Sequence, residues 1–86
     1  MTEDVVTLKD RVLRIAKASS LADAVDDVRV ESASDREGSD FLRVEVTVRL
    51  PKRDVDADLN TLVERIESEV ATVDDRYPSV RFLDAA

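Results

Sequence analysis

Histidine, cysteine and tryptophan are all missing from this chain, and a single glycine and two prolines punctuate its 86 residues. Without cysteine there is no disulfide framework and no thiolate metal site. Without histidine the side chain that titrates near neutral pH is gone, so neither a Ser-His-Asp nor a Cys-His set can be assembled. One glycine excludes the glycine-rich loops that cradle phosphates. The aromatic residues are only Phe41, Tyr77 and Phe82. Sheet proteins that read RNA stack bases on aromatic platforms, and a KH domain needs a G-x-x-G loop, so nucleic acid is not expected as a partner. No apolar run approaches the roughly 18–20 residues of a membrane helix. The amino terminus, MTEDVVTLKD, is acidic and lacks the apolar centre of a signal peptide. A soluble cytoplasmic protein with no membrane partner is the expectation.

Charge is what the chain has in quantity. Thirteen aspartates and seven glutamates face ten arginines and three lysines, for a formal charge of −7. That balance repels nucleic acid and anionic membranes at long range. The bias toward Asp and Arg fits either a high-GC genome or a salt-rich cytoplasm, and it names no function. The length admits one domain, expected to span residues 1–86, whose core is thin enough to gain from a partner or a second copy.

Periodicity supplies the elements. Val5, Leu8, Val12 and Ile15 recur at helical spacing and predict a helix from about Thr2 to Ala18, capped by Thr2 or Thr7. Asp10 and Arg14 are spaced as a favourable i,i+4 pair within it. Val28 to Ser32 alternates and reads as a short strand. Ser34 to Ser39 holds Gly38 and reads as a hairpin loop. Residues 42–50 are the clearest strand: Leu42, Val44, Val46, Val48 and Leu50 point one way, and Arg43, Glu45, Thr47 and Arg49 the other. Pro51 ends it. Asp54, Asp56 and Asp58 then open a second helix, at the end of the dipole that favours negative charge, with Leu59, Leu62, Val63, Ile66 and Val70 as its apolar stripe. Asp74-Asp75-Arg76 reads as a solvated loop, and Val80 to Leu83 as a last short strand.

The order α-β-β-α-β predicts an α+β two-layer sandwich, a three-stranded sheet with both helices on one face. A right-handed crossover makes the last strand parallel to the long one. In element order the chain resembles a ferredoxin-like fold lacking its first strand, or a small KH-like arrangement. That order is also similar to the cytoplasmic regulatory domain of cation-efflux transporters. The resemblance would imply dimerisation and metal bound largely through histidines, of which this chain has none.

Two surfaces stand out. The wet face of the sheet should display Arg29, Glu31, Arg43, Glu45, Thr47, Arg49 and Arg81. Four arginines against two glutamates set that face at +2 and the remainder of the chain at −9. Cross-strand Arg–Glu pairing on a solvated face is the simplest reading of it, and docking of an acidic segment, an anion or a second copy is the functional one. On the first helix, Val6 and Leu13 flank the apolar stripe seven residues apart, either as an association seam or as part of the core. The Asp54-x-Asp56-x-Asp58 series fails as an EF-hand loop, because Leu59 and Arg65 stand where glycine and glutamate are required. No cofactor and no metal site are expected.

The expected function is therefore that of a non-enzymatic interaction module. It would self-associate or dock onto a protein through Val6, Leu13, Arg29, Arg43, Glu45, Arg49 and Arg81. A regulatory domain that binds an anion or a divalent cation is the alternative. Carboxylate catalysis ranks behind both, since it needs a cleft to separate the pKa values of paired acids.

Overall fold

The computed structural model describes residues 3–85, and its element order is that expected from the sequence: α1 (Val5–Lys17), β1 (Val25–Ser34), β2 (Asp40–Val48), α2 (Asp56–Ala71) and β3 (Tyr77–Asp84). A single 3-10 turn, Ala22–Ala24, lies between α1 and β1. The sheet runs β1-β2-β3, with β1 antiparallel and β3 parallel to the central β2. The crossover through α2 gives the parallel pairing anticipated for the last strand.

Both helices cover one face. Leu8, Val12, Ile15 and Ala16 of α1 join Leu62, Ile66 and Val70 of α2 over Val28, Val30, Leu42, Val44, Val46 and Val48. Each of those four β2 residues is essentially sealed from solvent, as the strict alternation requires. Burying a Val or Leu side chain contributes roughly 1.5–3 kcal/mol, so β2 is the spine of the core.

The alternation stops sooner than the sequence suggests. β2 ends at Val48; Leu50 lies beyond it, 49 % exposed, and adds nothing to the core. Arg49 also falls outside the strand, although its amide continues the pairing by donating to the Ala24 carbonyl at 2.8 Å. β1 and β3 are longer than expected. β3 begins at Tyr77 and contains Pro78, which a strand tolerates at a free edge where no ladder hydrogen bond is asked of it. A bulge between Val25 and Asp27 interrupts β1 near its start.

Local chemistry explains the ends of the elements. Asp4 caps α1, its Oδ1 accepting from the Val6 amide at 2.8 Å. Thr7, one of the expected caps, is inside the helix, and Thr2 lies outside the described residues. The Asp10–Arg14 pair does not form; Arg14 instead faces the groove between the helices. In the hairpin, Asp35 Oδ1 accepts from the amides of both Glu37 and Ser39 at 2.9 Å. Gly38 completes that turn at φ 84°, a left-handed conformation that costs other residues strain.

Asp74 departs most from its expected place. It is 3 % exposed rather than solvated, and its carboxylate takes four hydrogen bonds. Oδ2 accepts from the Glu3 amide and from Arg76 Nη2, both at 2.7 Å. Oδ1 accepts from the Arg76 amide at 2.9 Å and from Arg76 Nε at 3.0 Å. Arg76 also donates to the Glu3 carbonyl at 2.9 Å and to Ser32 Oγ at 3.1 Å. This clasp ties the segment before α1, the end of β1 and the α2–β3 loop together. The hydrogen bonds from the Arg76 side chain hold the Asp74 carboxyl far below its usual value against the opposing effect of burial.

Candidate functional site

Cross-strand register organises the uncovered face of the sheet into four rows. Ala33, Phe41 and Tyr77 form one; Glu31, Arg43 and Ser79 the next; then Arg29, Glu45 and Arg81; then Asp27, Thr47 and Leu83. Arg29, Arg43, Glu45 and Arg81 thus come together as the alternation requires, with Glu45 at the centre between two arginines.

The face is not the basic patch that composition implied. Arg49 stands one residue past the end of β2, outside these four rows, where its Nε lies 3.0 Å from Asp26 Oδ2. Asp27 joins the face through its pairing with Thr47. Three arginines now face three carboxylates. Arg29 reaches Glu31 at 3.2 Å and Glu45 at 4.0 Å, and Arg43 reaches Glu31 at 3.8 Å. The Arg43 guanidinium also lies 5.9 Å from the centroid of the Phe41 ring. Exposed pairs of this kind contribute about 0.2–1 kcal/mol each. Arg81 makes no ion pair among the described residues and is the spare cation of the face.

The two apolar anchors expected on α1 part company. Leu13 packs against the core, whereas Val6 stands alone, 66 % exposed. The two therefore make no continuous seam.

Sequence reasoning missed the free edge of β3. Val80 and Phe82 share rows with Val44 and Val46, which are fully buried, yet both are only partly covered. α1 lies over β1 and α2 over β3, yet the outer rim of β3 at Val80 and Phe82 stays partly open. Tyr77 and Leu83, 65 % and 37 % exposed, project from the two ends of the same strand. The signal was present in the alternation of Tyr77, Ser79, Arg81 and Leu83, but a strand beginning at Val80 conceals it.

Two of the three aspartates at the start of α2 are occupied locally. Asp54 Oδ1 accepts from the Asp56 amide at 3.0 Å. Asp58 accepts from the Ser20 hydroxyl at 2.8 Å and from Arg53 at 3.0 Å, and these bonds lower its pKa. Among the described residues no group of three or more Asp or Glu converges as a metal site. None of their helices is long and apolar enough to cross a membrane.

Comparison with known proteins gives no matching family model, no matching curated protein and no matching solved structure. The surface chemistry of the chain itself therefore carries the functional reading.

Proposed function

We propose that the protein is a non-enzymatic interaction module that self-associates by joining two copies at β3, making one sheet of six strands whose uncovered face is available to a protein partner. The observation that supports this reading is the half-open core rim at Val80 and Phe82, on a strand with no neighbour on its outer side. Edge strands present unpaired backbone groups and pair readily with another strand.

The register follows from side-chain chemistry. Ala85 donates to the Val48 carbonyl at 2.9 Å, so the odd-numbered amides of β3 face β2 and the even-numbered ones face outward. An antiparallel two-fold centred on Val80 then makes Val80 and the partner's Val80 a hydrogen-bonded pair. Phe82 donates to the carbonyl of the partner's Pro78, and only the missing proline donor is forgone. Arg81 meets the partner's Ser79 on the open face, and Leu83 stands opposite the partner's Tyr77, whose hydroxyl donates to Glu67 of α2 at 3.5 Å across the strand edge. Shifting the two-fold to Arg81 would set two guanidiniums opposite each other, which is unfavourable. Tyr77 and Leu83, two of the four large exposed apolar residues among those described, stand opposite each other in the first register and not in the second. The joined sheets align two copies of the Arg29–Glu45–Arg81 row into one surface, on which Arg43 and Phe41 are the anchors for a protein partner.

The chain has no native cysteine, so a single introduced thiol gives an unambiguous readout. Paired Cα atoms at a hydrogen-bonded antiparallel position lie about 5.5 Å apart, within disulfide reach. Val80→Cys is expected to form a disulfide-linked dimer on mild oxidation, while Thr47→Cys on β2 stays monomeric. Cross-linking of Thr47→Cys alone would mean that two sheets pack face to face. A parent chain that sediments as a monomer at every concentration would remove self-association altogether.

A further inference from the structure

The helical layer holds a second concentration of arginine, unconnected with the sheet. A groove of about 230 Å³ between α1 and α2 is lined by Arg11, Arg14, Ile15, Ala18, Arg65 and Glu69. Three arginines line it against one carboxylate, in a chain whose net charge is −7. Arg29, Arg43, Arg49, Arg53 and Arg76 each have a carboxylate within 4.0 Å. Arg14 and Arg65 have none among the described residues. Arg11 reaches Glu69 only at 3.7 Å, and its Nε is shut off from solvent without a hydrogen-bond partner. A buried donor left unmade costs roughly 1–3 kcal/mol, so an arginine in this condition lacks an acceptor.

We infer that this groove binds a small phosphoryl-bearing anion. Arginine presents its donors as a planar fork that matches two oxygens of a phosphate, and several forks around one dianion give strong, charge-assisted hydrogen bonds. Arg11 and Arg14 lie one helical turn apart on α1, and Arg65 approaches from α2, so donors reach the same space from two sides. Ile15, which is buried, and Ala18 supply the apolar part of the lining. Glu69, at the rim beside Arg11, is an acceptor suited to a hydroxyl on the ligand and opposes a second negative group, which favours a monophosphate over a polyphosphate. Glu64 lies in the neighbouring hollow with Arg65 rather than in this groove.

The test is titration of the full chain with inorganic phosphate and, separately, with ribose 5-phosphate, at constant ionic strength maintained with sodium chloride. The arginine Nε–H signals in nitrogen-15 NMR report the contact directly. Movement of the Arg11, Arg14 and Arg65 signals is expected, with those of Arg29 and Arg43 still. Tighter binding of ribose 5-phosphate than of phosphate assigns an esterified ligand, and equal binding assigns free phosphate. Arg14→Ala and Arg65→Ala should each weaken affinity about tenfold or more, the contribution of one charged hydrogen bond. Arg65→Lys, which keeps the charge and loses the fork, should weaken it as well. Val80→Cys leaves the groove intact, so binding is expected to persist whether or not β3 edges pair. Absence of any Nε movement, or the same response to chloride alone, would overturn the inference.

Discussion

Asp74 shows how one carboxylate can fix the relative position of three segments. Its hydrogen bonds reach the Glu3 amide at one end of the chain and, through Arg76, Ser32 at the end of β1. Removing one member of a buried pair leaves the other uncompensated, so Asp74→Asn should cost about 3 kcal/mol in urea unfolding at neutral pH. The pH dependence follows from the lowered pKa. Below the ordinary value of 3.8 the unfolded carboxyl takes up a proton and the folded one does not. The stabilisation is therefore fully present above that value and is lost as the pH falls below it toward the folded pKa. The parent should lose stability on acidification through this window, and the Asp74→Asn chain should show a correspondingly flatter profile. A variant that matches the parent at neutral pH would mean that the clasp contributes nothing.

At the scale of the elements, helix capping separates what pattern alone reveals from what it hides. Asp4→Ala should destabilise the fold by about 1 kcal/mol, the usual worth of a lost N-cap. Thr7→Ala, at an exposed position inside α1, should leave stability unchanged or slightly raised, because alanine is the better helix former. Thermal unfolding of the two variants side by side checks both. The apolar spacing of α1, the stripe of α2 and the alternation from Leu42 to Val48 were legible because burial on one face imposes a period. Caps and strand ends obey short-range hydrogen bonding that period does not encode. Thus Asp4, not Thr7, begins α1, and Arg49, just past the end of β2, meets Asp26 of β1. The Asp74 clasp was illegible for a different reason: it joins Glu3 to Asp74 across 71 positions, and no local pattern marks such a contact. The groove of Arg11, Arg14 and Arg65 depends in the same way on where α2 settles beside α1.

For the whole molecule, what matters is which surfaces the two layers leave uncovered. The three arginines of the open face are matched by three carboxylates, so association there rests on shape and apolar contact more than on net charge. Leu83→Asp places a charge opposite Tyr77 in the proposed register. It should shift the sedimentation profile toward monomer while altering monomer stability by no more than about 0.5 kcal/mol, as expected for a surface position. Unaltered association in that variant would disfavour the Val80-centred two-fold.

The bulge near the start of β1 has its own consequence for behaviour at high concentration. An incoming segment would approach a strand bent by the bulge between Val25 and Asp27, and would meet the carboxylates of Asp26 and Asp27. Irregular, charged borders of this sort arrest endless stacking of strands. With the opposite border closed by the proposed β3 pairing, the chain is built to resist fibril growth, and it should remain negative for thioflavin fluorescence on prolonged incubation.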